Sequence, residues 1–178
     1  MDIQKMFKNA LDIVLLKEPA MHAVVAEKDG LKSALAMVFL GALASSLGSY
    51  IFPRTYGMIT YRPDITWMLS GIVMATVLGI ALLYLVGFLA EKLFHSKLSM
   101  EAYVRILGYA SVLNFISIIP DLSIVAGIWG LVVMWIVLTK LGKLEAGSVI
   151  LLLIIEFVLI FGVMGAGMGA GMGMMYGY

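Results

Sequence analysis

The chain has 178 residues, 62% of them hydrophobic and only 13% charged, with a net charge of +1 and a mean hydropathy of +1.05. A soluble domain carries roughly a quarter charged residues, so most of this surface must face something apolar, and lipid is the natural solvent. The same numbers exclude disorder and give no basic footprint for nucleic acid. The absence of cysteine removes disulfides, thiolate metal sites and thiol nucleophiles together.

Residues 1–30 read as a cytoplasmic, amphipathic N-terminal segment. Lys5, Lys8, Asp12, Lys17, Glu18, Glu27, Lys28 and Asp29 interrupt it, so it has no apolar core of the secretory-signal kind. Within it, residues 2–14 predict an amphipathic helix, with Ile3, Met6, Phe7, Ala10, Leu11 and Val14 on one face and Lys5, Lys8, Asn9 and Asp12 opposite. Such a helix either lies in the membrane interface or packs on the cytoplasmic end of the bundle. Pro19 suits the first turn of a second short helix, and Gly30 a break before the first span.

Residues 31–164 predict a five-span membrane domain, with spans at about 31–52, 65–90, 102–119, 122–139 and 147–164. The expected fold class is therefore all-α, a five-helix transmembrane bundle preceded by the interfacial helix. Open strands would leave backbone groups unsatisfied in hydrocarbon. The third and fourth spans are short and joined by Pro120-Asp121, so a hairpin that does not fully cross is the alternative for them. Ten of the twelve Lys and Arg residues fall on one side of this topology, and only Arg54 and Arg62 on the other. That bias places the N-terminus in the cytoplasm and the C-terminus outside, in a multi-pass protein of the cell membrane.

Small residues recur in the first two spans, as Gly41 and Ser45, Ala44 and Gly48, then Gly71, Ala75, Gly79 and Gly87. Rows of this kind let helix backbones approach closely. Packing within the chain is the expected use, and a homodimer the alternative. Residues 165–178 form a Gly- and Met-rich extracytoplasmic tail. Its Met168, Met172, Met174 and Met175, with Met164 before it, are the one coherent soft-metal idea, a Cu(I) site. Gly-Met packing is the simpler reading, and no cofactor or metal is assigned.

Glu156 is the most unusual residue, set between Leu-Leu-Leu-Ile-Ile and Phe-Val-Leu-Ile. A carboxylate there is costly unless protonated, paired or facing a wet cavity, which makes it a functional candidate. The third span offers it polar groups at depth in Tyr109, Ser111, Asn114 and Ser117, with Asn114 and Ser117 sharing a helix face. Arg105 reads as a structural anchor near the cytoplasmic end of that span. His22 and His95 share no metal-ligand spacing with another ligand. No phosphate-binding loop or metalloprotease motif occurs, and the chain reads as a non-enzyme.

Three stretches together resemble a known family. They are Pro19-Ala20 running through Ala26-Glu27-Lys28, then Arg105-Ile-Leu-Gly-Tyr-Ala-Ser111 followed by Pro120, then Ile128-Trp129-Gly130-Leu131 leading through Lys140-Leu-Gly-Lys-Leu-Glu-Ala-Gly147. The pattern is similar to Yip1-domain membrane proteins of the compact prokaryotic kind. Val112-Leu113 stand where relatives often have a proline, and the long N-terminal region of the eukaryotic members is missing. The resemblance implies a five-span bundle and a non-enzymatic role in membrane organisation. It also implies motif positions at Gly108, for close helix approach, and Tyr109, for hydrogen bonding within the bundle. The partners this implies are the lipid bilayer and other membrane proteins. The rival function is a small-solute or ion transporter built on Glu156, Asn114 and Ser117.

Overall fold

A computed structural model of the chain describes residues 2–52, 54–56, 59–61, 64–119 and 122–159. Helix α1 (Ile3–Val14) begins at Asp2, whose side chain accepts the Lys5 backbone N–H at 3.2 Å and so satisfies one of the free donors of the first turn. Met6, Ala10, Ile13 and Val14 are buried along one side. Their neighbours Ile3, Leu11 and Leu15 stay more than half exposed, so the apolar face is wider than the part that docks. Of the two placements open from sequence, this one packs α1 against the bundle. The Phe7 ring meets Phe115 edge-on at 5.8 Å, and the Trp129 indole N–H donates to the Val14 carbonyl at 2.8 Å, satisfying an acceptor in the last turn of α1.

Helix α2 (Glu18–Ala26) carries Pro19 in its first turn, as expected. The break that follows lies at residues 27–29 rather than at Gly30, which is the first residue of α3 (Gly30–Ile51). Helix α4 (Ile65–Phe88) starts on Asp64, which accepts the Trp67 N–H at 2.8 Å. It runs on through a wider π turn to Leu93. Helix α5 (Met100–Ala110) is capped by Ser99. The third expected span does not continue as an α-helix: from Ser111 to Ile118 the chain tightens into a 3₁₀ helix. Helix α6 (Ser123–Ile136) again ends in a π turn, at Leu141, and α7 spans Ala146–Leu159.

Three of these helices, Gly30–Ile51, Ile65–Leu93 and Ser123–Leu141, are long and apolar enough to cross a membrane. The linker between α3 and α4 contains an antiparallel hairpin pairing Arg54–Tyr56 (β1) with Ile59–Tyr61 (β2), with Thr55 opposite Thr60. Thr, Tyr and Ile on either side of a two-residue connection beginning with Gly57 are a recognisable hairpin pattern. The Pro120-Asp121 turn, the end of the fifth expected span and the methionine tail lie outside the described residues.

The core arrangement is a parallel pairing of α3 with residues 100–118. Gly30 lies beside Arg105, Ala34 beside Gly108, Gly41 beside Ser111 and Gly48 beside Ile118. A methyl group at Gly48 would lie 2.5 Å from the Ile118 carbonyl oxygen, and one at Gly41 2.6 Å from that of Ser111. The two backbones touch, which only glycine permits. Gly71 and Gly79 of α4 face Ser46 and Val38 of α3, so these glycines serve packing within the chain, while Ala75 between them is exposed.

The end of the bundle that holds the lysines is tied by polar groups. Arg105 donates to the Val25 and Glu27 carbonyls and bonds the Glu101 carboxylate at 2.6 Å. It thereby holds the end of α2 and acts as the anchor its position suggested. Glu27 accepts from Lys5 at 2.8 Å and from Asn9 at 3.4 Å, and Lys140 pairs with Glu18 at 3.1 Å. The hydrogen bond to Glu27, with its charge, holds the Lys5 ammonium above its ordinary value of 10.5. That contribution is complete below 10.5 and is lost only as pH rises through the higher folded value. Lys5 is exposed, so the pair is weak by itself.

Two outcomes follow from this packing. Gly48→Val should lower the melting temperature of the purified protein by several degrees, overpacking costing about 1–3 kcal/mol, whereas Gly147→Ala, where an added methyl meets nothing within 4 Å, should leave it unchanged. Arg105→Lys keeps the charge but loses the planar fork. Hydrogen exchange across residues 18–27 should then rise roughly tenfold, because hydrogen bonds from a charged donor are worth about 1.5–3 kcal/mol.

Candidate functional site

The tightening of residues 111–118 determines how the polar groups are presented. A 3₁₀ helix has three residues per turn, so side chains at i and i+3 eclipse. Ser111, Asn114 and Ser117 are spaced by three and therefore form one straight column. On an α-helix the same three would drift around the axis. All three line a single cavity of about 280 Å³, which Glu156 of α7 also lines. The pairing of Glu156 with Asn114 and Ser117 is thus brought together in space, although they are some forty residues apart in sequence.

Other parts of the wall were not singled out from sequence. Ser123, at the start of α6, contributes a hydroxyl, and Gly127 and Gly130 leave the wall of α6 open. The signal was present for Ser111, as the first member of the three-residue spacing. Nothing marked Ser123 or Gly127, and Gly130 stood out only as part of the Ile128–Leu131 stretch of the family resemblance. An added methyl at Gly127 would meet nothing within 4 Å, so the space beside it is free.

Tyr109 is a correction. It does not line the cavity; it is buried, 1% exposed, in the core cluster that includes Met6 and Ile13 of α1. Five residues separate it from Asn114, which on helical geometry turns it well away from the column. No hydrogen bond of its hydroxyl is found among the described residues. Gly108 does what its motif position implied. A methyl there would lie 2.9 Å from Ala34 Cβ, and the close approach of α5 to α3 depends on it.

Electrostatically the cavity is one acid among neutral hydrogen-bonding groups. Glu156 has no ion pair or hydrogen bond among the described residues. Nor do the described residues contain any group of three His, Asp or Glu that could hold a metal ion. Chemically the wall can accept and donate hydrogen bonds and can neutralise one positive charge.

On the side of the lysine-bearing end the column stops at Ser111. Every residue from Ala102 to Ala110 except Arg105 is buried, and Leu107 and Ala110 carry the cavity lining on past the column. The Tyr103 and Ser96 hydroxyls are bonded at 2.6 Å, and Ser96 also bonds the Gly142 carbonyl. Beyond Ser111 the lining in that direction is apolar.

Because Glu156 has no partner among the described residues, Glu156→Gln should leave expression and monodispersity intact on size-exclusion chromatography. An ion-paired Glu would instead cost several kcal/mol when neutralised, and loss of expression would reveal it.

The comparisons with known proteins agree with this architecture. The family model described as the Yip1 domain matches residues 13–167, from the last turns of α1 to beyond α7, and so takes in the whole cavity wall. No curated protein and no solved structure matches the chain. With most of its length matched, this chain belongs to the Yip1 domain family and is a membrane protein of that type.

Proposed function

We propose that this chain is a non-enzymatic, five-span organiser of the cell membrane that holds lipid and other membrane proteins, with its N-terminus in the cytoplasm and its C-terminus outside. The observation that carries the reading is where the cavity's polar lining stops. Its polar column ends at Ser111, against the packed residues 102–110, which suits a holding site better than a through-path.

Five crossings are supported by the way residues 100–118 accompany α3 from Gly30 to Gly48. Eleven α-helical residues at 1.5 Å and eight 3₁₀ residues at 2.0 Å reach about 32 Å, as far as a 22-residue α-helix and the thickness of the hydrocarbon core. A segment of that reach beside a helix able to span is itself able to span. The surface for lipid and partners is supplied by α4, where Trp67, Leu69, Val73, Met74 and Val77 are all more than half exposed, and by the undocked row Ile3, Leu11 and Leu15 of α1.

The second reading is a small-solute or ion conduit, favoured by the convergence of Asn114, Ser117 and Glu156 on one cavity. The Cu(I) reading rests wholly on the tail methionines and gains no support from the described residues. Two measurements separate the leading pair. A crosslinked pull-down from native membranes should recover a stoichiometric membrane-protein partner. Glu156→Cys, in a chain with no native cysteine, should resist a membrane-impermeant thiol reagent from both sides. Labelling from both sides without a partner would replace the organiser with the conduit.

A further inference from the structure

Glu156 borders two spaces of different character. One is the cavity that carries the polar Ser111, Asn114 and Ser117 column in an otherwise largely apolar wall. The other is a groove of about 380 Å³ between α6 and α7, walled by Leu131, Ile150, Leu153, Ile154 and Phe157 with Glu156 as its one polar side chain. Ile150, Ile154 and Phe157 are 50%, 53% and 60% exposed, so in a membrane this groove opens sideways to hydrocarbon. An empty apolar groove forfeits dispersion contacts along its lining, and acyl chains are the material at hand to fill it. At its inner edge stands a carboxylate without a cation among the described residues, backed by hydroxyls and an amide.

We propose that the α6–α7 groove and the polar cavity together hold one membrane lipid bearing a primary ammonium headgroup. An acyl chain lies along Ile150, Ile154 and Phe157, and the ammonium meets Glu156. Asn114 and the serine hydroxyls donate to the ester and phosphate oxygens of the same headgroup. Charge complementarity selects this lipid class. A choline headgroup has no N–H to donate. A glycerol headgroup leaves the phosphate charge uncompensated beside Glu156, where like charges repel. The assignment extends the holding role proposed above to a particular ligand but does not depend on a protein partner being found.

The test is native mass spectrometry of the purified full chain, exchanged into detergent with phosphatidylethanolamine, phosphatidylcholine or phosphatidylglycerol of identical acyl chains. Ethanolamine lipid should be retained about tenfold over the other two, the size of one charge-assisted hydrogen bond. Glu156→Gln should reduce that preference to near unity. Gly127→Phe, placed where an added side chain meets open space, should abolish retention of all three while the protein stays folded. Equal retention of the three lipids by the native chain, or retention unchanged in Gly127→Phe, overturns the proposal. So does displacement of bound lipid by free ethanolamine alone, which would make the site one for a soluble amine. Lipid binding seen only in a variant ending at Leu159 would give the groove to the chain's own tail and would overturn it equally.

Discussion

Backbone contact between α3 and residues 100–118 is the constraint on which the rest of the molecule rests. In hydrocarbon, apolar side chains gain little by leaving lipid for one another, so helices are held by van der Waals fit. Gly41, Gly48 and Gly108 supply that fit by removing the side chains that would keep the two backbones apart. The narrow 3₁₀ helix from Ser111 to Ile118 lets its carbonyls reach the α3 surface. It also gives a three-residue repeat that aligns Ser111, Asn114 and Ser117 as one column, with the Asn114 side chain lying beside Gly41 of α3. Close packing against α3 and the alignment of the polar column are thus consequences of one local geometry.

Charges are distributed by the same logic. At the lysine-bearing end, where water is near, Arg105, Glu27, Lys5, Glu18 and Lys140 tie the two N-terminal helices to the bundle. Most of these pairs are exposed and individually weak; Arg105 is the exception, since its guanidinium satisfies carbonyls at the end of α2 that no helix can reach. Through the middle of the bundle the described residues carry almost no charge, and Glu156 stands out because the chain otherwise avoids such a placement. Its lack of a partner among the described residues, beside a cavity and an apolar groove, is what turns an anomaly of composition into a candidate site.

Much of this was legible in the sequence, for reasons that differ by element. Hydropathy and basic residues mark α3, α4 and α6 because length and charge are what a bilayer selects. Asp2, Pro19 and Asp64 mark helix starts because capping is local chemistry. The 3₁₀ helix was not legible, because hydropathy reports neither rise nor turn, and a polar residue every third position fits a face of either helix. The break at residues 27–29 moved from Gly30 because Arg105, distant in sequence, draws on the carbonyls there. Tyr109 was misplaced for a related reason. A polar residue in an apolar segment was grouped with its neighbours by depth, whereas angle around the helix sends it towards α1. The hairpin pairing Arg54–Tyr56 with Ile59–Tyr61 was available in its Thr-Tyr repeat.

The point where the cavity's polar lining stops bears on how a small helical bundle of this kind acts. A conduit requires polar surface at both ends of the path, or a movement that exchanges one opening for the other. Here the segment beyond the polar column is closely packed: α5 between Ala102 and Ala110 is buried apart from Arg105 and in contact with α1, α2, α3 and α4. Opening a path through it would have to break the glycine contacts with α3 and the Arg105 ties together. The α6–α7 side demands no such rearrangement, since its groove is already open and apolar. A ligand that enters sideways from lipid and stops at Glu156 uses the structure as it stands. The physical asymmetry between a locked seam on one side and an open groove on the other therefore favours holding over passage.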